Sequence, residues 1–350
     1  MRKTQLIQNK AFIKNISEMI RMITIFLLIL YVSSCEKERP EPDLTKFYPN
    51  QRILKDYFAN TIAFESDGTA WIGTSKQGLI KYSTTETIIY DSLNSVVQNV
   101  PIWDIAIDSE DNVWIGNEGL VKYDGKNFTR YSTTNSDIPE DVIWSIAIDS
   151  KDHVWFSSSR HQRGGLVKYN GSVFEVFTPT NSDLPANQVD DIAIDNNDNV
   201  WLTAFESTIE TSLVKMTNNQ WIIYPGYDFG DPPFIFDDIA IDSRNRIIVL
   251  YNNHFATPHQ FFEPQGFIFD GVNIDYFNLD STFIFKSVMI DHNDIIWCTH
   301  NTGYAVYDEE NWTVVDSSIF EESSVFSIEQ ANDGNIWIGT GKGIQIIEGI

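Results

Sequence analysis

The phrase IAIDSEDNVWIG (residues 105–116) recurs along the chain, and this recurrence limits the possible folds more than any other feature. It returns as IAIDSKDHVWFS (146–157), IAIDNNDNVWLT (192–203), IAIDSRNRIIVL (239–250) and VMIDHNDIIWCT (288–299), with looser copies IAFESDGTAWIG (62–73) and IEQANDGNIWIG (328–339). The anchor positions are Trp71, Trp114, Trp155, Trp201, Ile248, Trp297 and Trp337, spaced by 43, 41, 46, 47, 49 and 40 residues. Seven copies at such a period predict seven supersecondary units, each too thin to cover both of its faces and each gaining a core only by stacking on the next.

Each unit reads as four short strands. Strand A is the I-A-I-D alternation, and the Asp-rich stretch after it is a turn, since Asp and Asn side chains bond nearby amides and tolerate turn dihedrals. Strand B is V-W-I-G. Strand C follows a glycine, as in GLVKY (119–123 and 165–169), and strand D is aromatic, as in FTRY (128–131), FEVF (174–177) and WIIY (221–224). Twenty-three Phe, fourteen Tyr and ten Trp suit pleated, half-buried strands. The expected fold is all-β, a seven-bladed β-propeller of four-stranded blades. The last copy ends after its strand C (residues 344–347), whereas Lys46, Phe47 and Tyr48 precede the first strand A as an orphan strand D. An N-terminal strand is therefore expected to complete the last blade and remove two exposed edges, so that deleting residues 44–50 lowers the melting temperature.

The repeats resemble the two-component regulator propeller family, whose copies run roughly I-x-x-I-x-x-D-x-x-G-N-x-W-I-G-T-x-x-G-L. The last copy, ANDGNIWIGTGKGI (331–344), is the nearest to that pattern, and the stretches NSDIP (135–139) and NSDLP (181–185) look like that family's blade connections. The resemblance implies the fold. In that family such repeats often form the extracytoplasmic sensor of a membrane-bound histidine kinase, with more repeats than here, and no second membrane segment or kinase region is evident in this sequence.

The first residues follow another rule. Arg2, Lys3, Lys10, Lys14 and Arg21 precede the apolar run 22–32, which ends in Ser33, Ser34 and Cys35. This is the pattern of an export signal. The alternative, an uncleaved anchor helix, needs roughly 20 apolar residues, and this run has eleven. The segment VSSC (32–35) resembles the lipobox of bacterial lipoproteins, which implies acylation of Cys35 and a membrane attachment through lipid. Met19 or Met22 are alternative starts. Residues 35–46, charged and Pro-containing, read as a tether, leaving 47–350 for the propeller. Glu36 and Glu38 resemble a signal for display on the outer face of the outer membrane, so the expected location is the bacterial envelope, periplasmic or surface-exposed. Without residues 1–34 the chain keeps 19 basic and 48 acidic side chains, a formal charge of −29. Such a surface repels nucleic acid.

Site candidates come from breaks in the repeat. The B-to-C connections read as long loops in three consecutive units, 157–165, 203–212 and 251–266, carrying Arg160, His161 and Arg163 in the first and His254 and His259 in the third. The residue two before the strand-A Ile is expected at the channel mouth: Asn60, Trp103, Trp144, Asp190, Asp237, Lys286 and Phe326. Aromatics beside carboxylates suit a sugar or peptide groove, although Trp103 and Trp144 could instead pack between blades. No cofactor or metal is expected: His254 and His259 lack a third ligand at motif spacing, and Asp108, Asp149, Asp195, Asp242 and Asp291 recur as turn residues rather than calcium ligands. Cys298 takes the slot held elsewhere by Ile72, Ile115, Phe156, Leu202, Val249 and Ile338, as a buried apolar residue.

The leading expectation is a non-catalytic propeller that presents its long-loop face to a glycan, peptide or partner protein. Two alternatives stand beside it. One is an enzyme, a lyase or hydrolase, because similar repeats occur in streptogramin lyase-like proteins; it would draw on His161, His254 or His259 with Asp190 or Asp237. The other is a structural component of an envelope complex.

Overall fold

A computed structural model describes residues 49–348, apart from 161–162, 208–209, 230–234, 253–264, 280–282 and 317–323. Every described residue belongs to one compact unit, Leu44–Ile350. Its described residues form seven four-stranded antiparallel sheets, each a blade ordered A-B-C-D, with a turn of 3-10 helix at Gly226–Phe229. Blade 2 is representative: Asp104–Ile107, Val113–Asn117, Gly119–Tyr123 and Phe128–Tyr131 pair in sequence order.

The blades stack as the repeat predicts. Each hydrophobic cluster straddles one seam. Trp71 of blade 1 packs with Val113, Ile115 and Tyr123 of blade 2, and Trp297 of blade 6 packs with Val325, Ile336 and Ile338 of blade 7. The glycine that ends strand B exists for this contact: a Cβ on Gly73 would lie 2.6 Å from Ile102 Cγ2 of the next blade. Cys298 is fully buried in the seam between blades 5 and 6, and burial pushes its thiol well up from the usual range.

The Asp-rich turn is both a local device and a clasp. Its first acid is buried and accepts the indole N–H six residues on: Glu65 from Trp71 at 2.7 Å, Asp108 from Trp114 at 3.0 Å, and Asp149, Asp195 and Asp291 from Trp155, Trp201 and Trp297 at 3.1 Å. On the indole face of four blades lies a lysine from strand C, with Lys81, Lys122, Lys168 and Lys215 4.8 to 5.1 Å from the Trp centroid. Blade 5 has Ile248 in place of Trp, and there Arg246 Nε satisfies Asp242 at 2.5 Å.

The fourth turn residue has left-handed backbone, with φ 60° at Asp111 and 59° at Asp152, which Asp, Asn and Gly tolerate. From that position it grips the preceding blade. Asp111 accepts the Ser66 amide and hydroxyl, Asp152 those of Ser109, Asp198 those of Ser150, and Asp294 those of Ser243. Where the position is Gly334, the Gln330 carboxamide accepts the His292 amide instead; where it is Gly68, Asn332 donates to the Glu65 carbonyl.

Closure is by an N-terminal strand, as expected, but at a different place. Gln51–Ile53 pairs with Gly343–Ile347 as strand D of blade 7, and Arg52 donates to the Lys342 carbonyl. Lys46, Phe47 and Tyr48 lie outside the described residues. Two of the expected long loops are also corrected. In blades 3 and 4 the strands continue through them, as Val154–Arg160 with Arg163–Tyr169 and Val200–Ser207 with Glu210–Thr217. The chain spends the added residues on longer ladders because each backbone group then finds a partner. Among the described residues no helix is long and apolar enough to cross a membrane.

Candidate functional site

Strands A line the axis, and the residues at their starts converge on one mouth. Six of the seven side chains expected there, Asn60, Trp103, Trp144, Asp190, Lys286 and Phe326, line a cavity of about 280 Å³ on the axis. Asp237 lies in strand Ile235–Ile241 with its side chain outside the described part, and its neighbour Asp238 lines the cavity.

Trp103 is 42% exposed, and its ring centroid lies 4.6 Å from that of Trp144. The two indoles therefore lie against each other at the rim, their planes tilted by 47°, rather than filling the seam core. Trp144 is fixed by two strand-B serines of its own blade, its amide donating to Ser157 Oγ at 3.0 Å and its indole N–H to the Ser159 carbonyl at 3.0 Å, while Ser158 Oγ between them accepts the Glu140 amide of the approaching loop. Asn60 donates to the Ile102 carbonyl at 3.3 Å, Gln188 Nε2 to Asp190 at 2.9 Å, and Lys286 Nζ lies 4.1 Å from the Phe326 centroid.

Trp103 and Trp144 also line a second cavity of about 440 Å³, which extends outward between the connections of blades 2 and 3 to Glu118, Gln188 and Arg160. The structure thus brings Arg160 to the tryptophan pair. Arg160 and Arg163 face each other across the end of the blade 3 hairpin, both exposed. His161, His254 and His259 lie outside the described residues, as does Cys35.

The deeper channel holds acids that the sequence reading passed over. The residue directly before the strand-A Ile is Asp104, Asp191 or Asp238 in blades 2, 4 and 5, and each carboxylate accepts a backbone N–H from the next blade, from Ile146 at 2.7 Å, Ile239 at 2.8 Å and Val288 at 2.6 Å. In blade 3 Ser145 takes the role, accepting from the Ile192 amide and donating to Asp191. Glu329 stands where other copies have Ala63, Ala106, Ala147, Ala193 and Ala240. All four acids line the axial cavity. Burial, reinforced by Asp191, raises Asp104 to about 7; burial and Asp104 raise Glu329 to about 8; burial and Asp191 raise Asp190 to about 6. The visible signal was the recurring D-I-A-I and the one glutamate among alanines.

Comparison with known proteins places this ring. The two-component regulator propeller repeat matches residues 319–342, within blade 7 and the approach to it. The chain carries a two-component regulator propeller repeat. No curated protein matches the chain by sequence. Its fold is similar to the extracellular domain of a putative hybrid two-component system of B. thetaiotaomicron, at 17% identity and TM-score 0.67, over 86% of this chain and 40% of that one. The chain thus spans well under half of that neighbour. It is also similar to PorZ, a bacterial surface component of the type-IX secretion system of Porphyromonas gingivalis, at 14% identity and TM-score 0.65, covering 86% and 47%. A virginiamycin B lyase from Staphylococcus aureus shares the fold at 12% identity and TM-score 0.66, covering 85% and 97%. At these identities the likeness speaks for the propeller alone.

Proposed function

We propose that this chain is an extracytoplasmic, lipid-anchored binding propeller whose mouth takes an extended glycan, peptide or protein segment across the Trp103–Trp144 shelf. The observation that carries the reading is that two cavities, one axial and one between the loops of blades 2 and 3, share that indole pair. Paired indoles supply flat apolar area at small entropic cost, and Asp190, Gln188, Glu118 and Arg160 around them supply directional polar contacts. Anchoring rests on the VSSC segment ending at Cys35 and the charged tether after it; an outer-membrane location is in keeping with neighbours that are extracellular or surface components.

Screening glycan arrays and envelope extracts with wild-type protein and the variants Trp103→Ala, Trp144→Ala and Arg160→Ala tests the site. Loss of capture of about tenfold or more in both Trp variants, with unchanged melting, is expected. Capture that ignores all three substitutions would remove this site. For the anchor, Cys35→Ala should move the protein from the membrane to the soluble fraction.

A second reading, a lyase or hydrolase, is favoured by one observation. Asp104 and Glu329 face the same channel with carboxyls held near neutrality, the range a general acid or base needs. Mass-spectrometric detection of quinupristin opening, abolished by Glu329→Gln, would establish it; intact quinupristin after prolonged incubation argues against a lyase of that class.

A further inference from the structure

Most arginines among the described residues are already engaged. Arg52 and Arg130 donate to the Lys342 and Glu118 carbonyls, and Arg244 and Arg246 pair with Asp242 and Glu309. Arg160 and Arg163 are the exception: both are exposed, and among the described residues neither guanidinium has a hydrogen bond, an ion pair or a ring to lie on. In a chain with 49 acidic and 24 basic side chains, a cation without a carboxylate beside it is unexpected on charge alone. Their placement adds a cost. The two pair directly across the end of the blade 3 hairpin, and like charges facing each other in a ladder are destabilising.

Arg160 also faces a cavity. With Trp103, Trp144, Val100, Pro101 and Val142 it lines the space of about 440 Å³ between the connections of blades 2 and 3. The wall behind it is fixed: Ser159, the residue before it, is fully buried, accepts the Trp144 indole N–H at 3.0 Å and donates its amide to the Val142 carbonyl at 3.1 Å. The guanidinium therefore springs from ordered backbone beside the indole pair. Glu118 lines the same cavity without forming an ion pair with Arg160; its backbone is bridged to Val142, and its carbonyl is taken by Arg130 Nε.

The chemistry of an occupant follows from these walls. A guanidinium presents its N–H donors in a planar fork that a carboxylate accepts two at a time. Two indoles and the side chains of Val100, Pro101 and Val142 offer flat apolar area next to that fork. Charge limits the anion to one unit, because Glu118 and the carboxylates of the adjoining axial cavity would repel a dianion such as a phosphate monoester. The volume suits a single ring or side chain together with its acid.

We propose that the groove between blades 2 and 3 binds a monocarboxylate, its acid on Arg160 and a flat apolar body against Trp103 and Trp144. The group arrives either as the C-terminal residue of a peptide or as a free arylalkanoic acid. This proposal rests on the reading of the indole shelf as a ligand site and specifies what that shelf selects.

The test is calorimetry and tryptophan fluorescence on the intact propeller with four probes: acetyl-glycyl-phenylalanine as the free acid, the same dipeptide as its amide, 3-phenylpropionate and phenyl phosphate. The peptide acid is expected to bind and to perturb indole emission, with the isosteric but neutral amide at least tenfold weaker. Arg160→Gln should weaken the acid at least tenfold, to the level of the amide, and leave the amide unchanged. 3-Phenylpropionate as tight as the peptide acid would assign a free acid; a peptide acid at least tenfold tighter would assign a chain end. Equal affinity for acid and amide overturns the proposal, as does acid binding indifferent to Arg160→Gln or failure of both carboxylates to bind at millimolar concentration. Phenyl phosphate tighter than 3-phenylpropionate overturns the limit to one charge. Should Arg160→Gln not fold, the acid–amide comparison on wild-type protein decides alone. Equal binding of acid and amide that disappears in Trp103→Ala would refute the carboxylate while keeping the shelf; binding indifferent to Trp103→Ala and Trp144→Ala would remove both.

Discussion

At the turn-side rim, Ser66, Ser109, Ser150 and Ser243 donate twice to an aspartate of the following blade, while Asn196 donates its amide to Asn245 and its side chain to the Ser243 carbonyl. At the mouth, one position in the same seven repeats is filled by Asn60, Trp103, Trp144, Asp190, Asp237, Lys286 and Phe326. The backbone is equivalent and the side chains are not. Where a residue touches the next blade, five of the seven repeats use the same turn position, and the two that carry glycine there use a nearby carboxamide instead. Where a residue faces the channel, the ring imposes nothing, and the variation there is free to serve a ligand.

Removing the closing strand tests the rims together and should have the largest effect. A chain beginning at Lys55 loses Gln51–Ile53, bares the edge of Gly343–Ile347, and is expected to melt about 10 °C lower and to self-associate, read by calorimetry and light scattering. Truncation through residue 50 should do less, because the paired strand begins at Gln51.

Next is a substitution at the turn-side rim. Asp195 is 4% exposed and accepts from the Asn197 and Asn199 amides, the Asn199 side chain and the Trp201 indole. Burial alone would raise its carboxyl, yet these donors outweigh it and hold it low. Asp195→Ala strands several buried donors and should cost about 3 kcal/mol in urea unfolding.

A mouth substitution should act in the opposite direction. Glu329 has its carboxyl raised from 4.5 to about 8 in the folded state, so its contribution to stability is fully present below pH 4.5 and is lost as the pH climbs through 8. Glu329→Gln removes that loss. Its unfolding free energy should match the wild type at pH 4.5 and exceed it at pH 8.5, by about 2 kcal/mol after allowance for water in the channel. A variant less stable than wild type at pH 8.5 would show that the glutamate is built into the wall rather than tolerated there.

The smallest expected effect is at the exposed clasp. Ser150→Ala loses one hydroxyl donor to Asp198 and keeps the amide, and should cost less than about 1 kcal/mol. A larger loss would mean that the clasps act cooperatively around the ring.

Much of this was legible from particular residues. The Trp71-to-Trp337 spacing predicts the blades, and six mouth residues follow from counting back two positions from each strand-A Ile. The carboxylates one position later were not legible, because strand A carries a bulge at that point in several blades, as between Ala59 and Thr61 and between Val189 and Ile192. A bulge breaks the two-residue alternation on which inside-and-outside readings depend. The closing strand was placed too early because three residues without an internal repeat give periodicity nothing to act on. The hairpins of blades 3 and 4 read as loops because Ser157, Ser158 and Ser159 are polar, although all three are fully buried where they hold the approaching chain.

The number of blades, the order of strands in each and the turn that joins A to B are written in the repeat, since pairing and turning within a blade depend on residues close together in the chain. Which side chains meet on the axis depends on closure of the whole ring. Asp104, Asp191, Asp238 and Glu329 come from four blades, some forty or more residues apart, and no local pattern encodes their meeting. Closing the ring brings them to one centre, where burial and neighbouring carboxylates raise Asp104 and Glu329.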